Sequence, residues 1–151
     1  MIEIKSILFP TDFSECSSQA LLYAVDIAKR YGSRVYILHV VYDISKAVDQ
    51  YVSPLAVEEM YKDITLRAKE EIEKFSYDGL TSLTDIERIV ITGIPHEEII
   101  HFVNKHNIDL IVMGTHGRKG IDRILFGSTA ANVVRFAPCP VLTVRVPKHR
   151  E

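Results

Sequence analysis

Hydrophobic and polar positions along this chain switch repeatedly between two periods. Ile4 to Phe9 is a short apolar run stopped by Pro10. Leu21, Ala24, Val25 and Ala28 then recur at the spacing of one helix face. Ser14 or a neighbour can cap that helix, and Gly32 suits the left-handed position that ends one. Arg34 to Val41, β-branched and aromatic, predicts a second strand. Tyr42 to Ser53 shows no period and reads as a loop. Ser53-Pro54 resembles an N-cap with a first-turn proline. Behind it Val57, Met60, Tyr61, Ile64, Ala68, Ile72 and Phe75 form the apolar stripe of a long helix whose other positions are mostly charged. Asp78-Gly79 marks a turn. A third strand lies within Asp85 to Thr92, and Gly93-Ile94-Pro95 leads into a helix with Ile99, Ile100 and Val103 on its buried side. Asp109 to Met113 predicts strand four, Ser128 to Phe136 a short helix, and Val141 to Val146 strand five, after Pro138 and Pro140.

Strands separated by helices favour a parallel sheet covered on both faces. The first, second and fourth strands are nearly continuous apolar runs, as burial on both sides requires. In such sheets ligands sit beyond the carboxyl ends of the strands, where the strand order reverses. If strands one and four are neighbours at that reversal, the loops Pro10 to Ser14 and Gly114 to Gly127 face one crevice.

The length of 151 residues fits a single domain over 1–151 with no second unit or internal repeat. At this size ~68–70% of the unfolded chain's surface can be buried, so no disulfide or metal staple is required. A net charge of −2 argues against a nucleic-acid or anionic-membrane partner. No apolar run approaches the ~18 residues of a membrane span, and MIEIKSILFP lacks the parts of an export signal. Cys16 and Cys139 have neither metal-ligand nor redox spacing. These features predict a reduced, cytoplasmic protein.

Candidate chemistry concentrates in MGTHGRKGIDRILFGST, Met113 to Thr129. Two glycines follow a strand, and Gly127-Ser128 opens a helix. The spacing G-x2-G-x9-G-S matches neither the Walker loop nor the dinucleotide fingerprint. Its physical content stands without those labels. Gly114 and Gly117 let backbone approach a ligand. Gly127, Ser128 and Thr129 gather N–H groups, hydroxyls and a helix N-terminus suited to an anion, with Arg118, Lys119 and Arg123 as nearby positive charge. The plainer reading is a shaped loop in which Ser128 is an N-cap. Asp12, after strand one, can accept from a ribose hydroxyl, hold Mg2+ or cap the next helix; one carboxylate has lone pairs for more than one of these. His96 and His101 are five apart and do not share a helix face, which argues against a zinc pair. His39 reads as a satisfied core or rim histidine. His116 either reaches phosphate or lies on solvated surface. Cys16 fits simple packing better than reactivity.

The chain resembles the universal stress protein family over its full length, through ILFPTDFSE, ILHVV, GIPHEEII and IVMGTHGRKGIDRILFGSTAANVVRFAPCPVLTVR. The last segment carries the G-x2-G-x9-G-[ST] pattern of that family's ATP-binding branch. The resemblance implies a three-layer α/β/α sandwich, flavodoxin-like, with a five-stranded parallel sheet in the order 3-2-1-4-5. It implies an adenine pocket at Pro10, Thr11, Val40 and Met113, with Asp12 on the adenine or ribose side. The phosphate cradle would be Gly114, Gly117, Gly127, Ser128, Thr129 and Ala130. Thr129 departs from the Val common there, which leaves its N–H unaffected. The resemblance further implies ATP, with or without Mg2+, as ligand, and a homodimer through the last strand, Val141 to Val146. Nothing carries over for Tyr42 to Ser53.

These readings lead to a nucleotide-dependent stress-response module without fast hydrolysis. The alternative is a slow ATPase or adenylyl-transferring enzyme of the related adenine-nucleotide fold. Relatives that transfer AMP tend to carry a glycine-rich S-G-G-x-D-S loop after strand one, where this chain has PTDFSE.

Overall fold

The chain builds, in order, β1 (Ser6–Pro10), α1 (Glu15–Tyr31), β2 (Arg34–Tyr42), α2 (Pro54–Lys74), a 3-10 turn (Asp78–Ser82), β3 (Ile86–Gly93), α3 (Pro95–His106), β4 (Leu110–Gly114), α4 (Ser128–Phe136) and β5 (Val141–Val144). These elements come from a computed structural model that describes residues 1–45, 51–75, 78–116 and 127–146.

Among the described residues the strands form one parallel sheet in the order β3-β2-β1-β4-β5. The period of two along each strand sorts side chains into two cores. Ile7 and Phe9 of β1 face α1 and α2, together with Ala20, Leu21, Ala24 and Ile72. Leu8, between them, faces α3 and α4, together with Leu38, Ile99, Val103, Ile111 and Val133. Helices on both faces of a parallel sheet give the expected three-layer sandwich.

Local signals set the helix ends. The Ser14 side chain accepts the N–H of Ser17 at the start of α1, and Gly32 closes that helix at φ 67°. The Ser53 side chain accepts from Ala56 N–H ahead of Pro54, as the Ser-Pro pair predicts. Asn107, at φ 51°, does for α3 what Gly32 does for α1. The Asp78-Gly79 turn signal is realised as the 3-10 turn.

Three expectations need correction. Within the predicted α2 stripe only Ala68 and Ile72 are buried; Val57, Met60, Tyr61 and Phe75 are half-buried, and Ile64 is 38% exposed. Periodicity identifies the face of a helix but not how much of it the sheet covers. On α3 the third buried residue is Phe102, while Ile100 is half-buried. Phe102 packs edge-on against the Tyr36 ring of β2, with centroids 5.2 Å apart. Strand β5 ends at Val144, not Val146, because β4 supplies its last partner at Gly114.

Candidate functional site

Strands β2 and β3 lie to one side of β1, and β4 and β5 to the other. The order therefore reverses between β1 and β4, which pair through Ile7–Leu110 and Leu8–Ile111. The loops leaving these two strands emerge side by side, at the place where doubly wound sheets receive ligands. They also touch. Cys16 Sγ, in the first turn of α1, donates to Val144 O at 3.4 Å and lies 4.0 Å from Thr115 Oγ1. A Cβ on Gly114 would sit 2.8 Å from that sulfur. The glycine is thus required by close approach of α1, a reason the sequence reading did not contain.

The loop after β1 consumes its own donors. Phe13 N–H donates to Thr11 Oγ1 at 3.0 Å, Ser14 N–H to Asp12 Oδ1 at 3.0 Å and Ser17 N–H to Ser14 Oγ at 3.2 Å. Ser17 Oγ donates to buried Thr11 Oγ1 at 2.5 Å. The cap of α1 is therefore Ser14 and not Asp12, whose carboxylate instead holds the N–H of the capping residue. Phe13 sits in the left-handed region at φ 64°, an uncommon conformation for a large side chain. Its ring packs against His39 (centroids 4.5 Å apart) and edge-on against Phe75 (5.7 Å). His39 Nδ1 lies 2.7 Å from the Thr11 carbonyl oxygen. A carbonyl only accepts, so Nδ1 carries the hydrogen. His39 is a satisfied rim histidine, as expected.

The entry to α4 is built differently. Its N-cap is Gly127, which has no side chain to turn back on the helix. The N–H groups of Ser128, Thr129 and Ala130 open the helix without a capping oxygen from that position. Gly127 N–H donates to Thr115 O at 2.6 Å, and Thr115 N–H donates to Val144 O at 3.1 Å. Buried Thr115 thus joins the end of β5 to the start of α4. Its hydroxyl and His116 Nδ1 share a hydrogen bond at 2.9 Å. The sequence reading missed Thr115, and no local signal distinguishes it.

Among the predicted site residues, Met113 and Ala130 are buried in one core cluster, with Val40 packed against it. The alternation along β1 places Pro10, like Leu8, on the same side of the sheet. Thr11 and Asp12 lie in the loop that follows β1. Ser128 is exposed and Thr129 half-buried at the mouth of α4. Gly117, Arg118, Lys119 and Arg123 lie outside the described residues.

The backbone of Val40 has a particular setting. Thr11 N–H donates to Leu38 O at 2.8 Å, so Leu38 presents its backbone groups toward β1. Two residues on, Val40 presents its N–H and C=O in the same direction. Strand β1 has ended there, at Pro10. Among the described residues no helix is long and apolar enough to cross a membrane, and no group of three or more His, Cys, Asp or Glu side chains could hold a metal ion.

These features define a doubly wound α/β protein whose strand order reverses between β1 and β4, beside a helix, α4, whose N-terminus has no side-chain cap among the described residues. The chain belongs to the universal stress protein family, whose model matches residues 3–145. Universal stress protein MJ0531 of Methanocaldococcus jannaschii is 38% identical over 147 residues, spanning 95% of this chain and 84% of that protein. The structure of universal stress protein UspA from Lactobacillus plantarum superimposes with a TM-score of 0.82 at 30% identity, covering 96% of this chain and 100% of that one. A universal stress protein from Archaeoglobus fulgidus, solved in complex with dAMP, shares the fold at a TM-score of 0.63 and 20% identity, covering 95% and 99% of the two chains.

Proposed function

We propose that this chain binds ATP in the crevice between β1 and β4 and acts, as one unit over residues 1–151, as a cytoplasmic homodimeric stress-response module. Its nucleotide state would set partner binding or dimer stability. The observation that carries the reading is the contrast between two helix N-termini at one end of the sheet. At the entry to α1 the Ser14 hydroxyl takes the N–H of Ser17 and the Asp12 carboxylate that of Ser14, whereas among the described residues no side-chain oxygen caps α4 behind Gly127, where the N–H groups and dipole suit an anion. The phosphates would lie against Gly127, Ser128, Thr129 and Ala130, with Gly114 and Gly117 in the approach. Mg2+ takes most of its ligands from phosphate and water, and Asp12 would offer it a carboxylate.

The base would lie beside Pro10, Thr11, Val40 and Met113. The Val40 N–H and C=O form a donor–acceptor pair, complementary to N1 and the N6 amino group on the Watson–Crick edge of adenine. The dAMP held by a fold relative supports an adenine nucleotide as the ligand class. The outer strand β5, paired with β4, leaves an edge that a second copy would cover. Hydrolysis would be slow at most.

Mass spectrometry of small molecules released from the purified, denatured protein tests this reading. An adenine nucleotide is expected. Added ATP at ~100 times Kd should stabilise the fold by ~2.7 kcal/mol. A melting curve unmoved by millimolar ATP with Mg2+ rejects ATP binding. Turnover in the ~1–10³ s⁻¹ range of ordinary enzymes would favour the enzymatic alternative.

A further inference from the structure

The bond from His39 to the Thr11 carbonyl changes what the β2 backbone can offer. In a parallel ladder a residue donates to one partner on the neighbouring strand and accepts from the residue two further along. Thr11 makes the first of these bonds, N–H to Leu38 O at 2.8 Å. The second would run from Val40 N–H to Thr11 O. That bond is not made among the described residues. The carbonyl instead accepts from the His39 imidazole at 2.7 Å. The side chain has taken the place of the main-chain donor one residue further along its own strand, and β1 stops pairing at Pro10.

We propose that His39 is the positioning residue that keeps the Val40 N–H out of the sheet and available to a ligand, and that it thereby sets base selectivity. This rests on the nucleotide reading above. His39 is itself held in place. Its ring packs on Phe13, whose backbone is held in the left-handed region at φ 64°. The Thr11 hydroxyl accepts from Phe13 N–H and Ser17 Oγ, which fixes the other side of the same residue. The carbonyl of Thr11 therefore has a defined place, and its donor decides whether Val40 N–H is consumed. With that N–H available, Val40 presents donor and acceptor together and favours a base with N1 as acceptor and a 6-amino donor. Hypoxanthine reverses both positions and would meet donor with donor and acceptor with acceptor.

The test compares ATP with ITP on the full chain by calorimetry, with amide exchange of Val40 in the nucleotide-free protein measured by NMR. Wild type should prefer ATP over ITP by about tenfold or more, the value of one good hydrogen bond and one mismatch avoided. Its Val40 amide should exchange quickly without nucleotide and slow down with ATP. In His39→Leu the Thr11 carbonyl regains the main-chain donor. Val40 exchange should then slow in the nucleotide-free protein, and the ATP/ITP ratio should fall toward unity while ITP affinity stays within about threefold. His39→Asn, which keeps a donor near the position of Nδ1, should restore the ratio.

A Val40 amide already protected in nucleotide-free wild type overturns the inference, as does an unchanged ATP/ITP ratio in His39→Leu. Should that variant not fold, the wild-type exchange rate and His39→Asn decide. Wild type that binds neither nucleotide rejects the nucleotide reading itself. Wild type that binds ATP, with selectivity indifferent to residue 39, rejects only the role of His39.

Discussion

The carbonyl of Thr115 accepts the N–H of Gly127 at 2.6 Å, across a loop whose two ends this bond brings together. Thr115 follows the last residue of β4 and Gly127 precedes the first residue of α4. The end of β4 and the start of α4 are therefore joined by main-chain atoms alone.

Gly127→Arg follows directly. Gly127 has φ −67° and ψ 164°, an extended conformation open to any residue, and the bond to Thr115 uses only its N–H. The variant should keep its melting temperature within a few degrees, as expected for changes of under about 1 kcal/mol. Its ATP binding should be lost, because a long side chain would occupy the phosphate position. Calorimetry beside thermal unfolding checks both halves; retained affinity would displace the cradle from α4.

Gly114→Ala should destabilise the fold whether or not nucleotide is present. The new methyl would meet Cys16 Sγ at 2.8 Å and the Cys16 backbone at 3.1 Å. Overpacking of this kind costs about 1–3 kcal/mol. Pairing it with Cys16→Ala should recover part of the loss, because the sulfur goes and the backbone stays. A double-mutant cycle in urea should show a coupling above about 0.5 kcal/mol. Additive effects would mean that the two residues do not meet.

At Gly32 the expected cost has a different origin. A Cβ there would touch nothing within 4 Å, but the residue sits at φ 67°. Gly32→Ala should lose about 1 kcal/mol through torsional strain alone. Gly32→Asn should lose less, since Asn107 ends α3 in the same conformation. Equal losses in the two variants would point away from the backbone as the cause.

Tyr61 links α2 to the end of β2. Its hydroxyl donates to Asp43 Oδ1 at 2.8 Å and accepts from Ile44 N–H. Burial first, and then the Asp43 carboxylate, hold its pKa above the ordinary value of 10. Above about pH 10 the unfolded chain ionises this group before the folded one does, so the folded state binds more protons and stability falls as pH rises through the folded value. Urea midpoints measured from about pH 9 to about pH 11 should decline less steeply in Tyr61→Phe than in wild type. Parallel declines would show that Tyr61 titrates alike in both states.

The fold was legible where neighbouring residues carry the signal. Ser53-Pro54, Gly32 and the span Ser128 to Phe136 are read from their own chemistry, and the structure places the helix boundaries there. The strand order came through resemblance, since no local pattern says that β1 and β4 are neighbours. Legibility failed where the answer depends on residues distant in the chain. Ile64 matches the α2 stripe but lies where the sheet covers the helix only partly. Phe102 owes its burial to Tyr36, on another strand.

The candidate site divides the same way. The glycines and the strand-to-loop transitions stand out in the sequence. The demand of Cys16 on Gly114 and the bond from His39 to Thr11 span 98 and 28 positions and have no sequence signature. The sequence marks Gly114 as a glycine that admits a ligand, and the contact the structure gives it is with a helix.

Gly127 has one more implication. A serine at that helix start would satisfy a backbone donor, yet glycine costs a helix only a few tenths of a kcal/mol relative to it. Leaving the turn receptive is thus nearly neutral for stability. If α4 receives the phosphates as proposed, a single hydroxymethyl group at position 127 would be enough to convert that receptor into an ordinary, self-satisfied helix, so loss of ligand affinity would lie one substitution away and leave almost no trace in a melting curve.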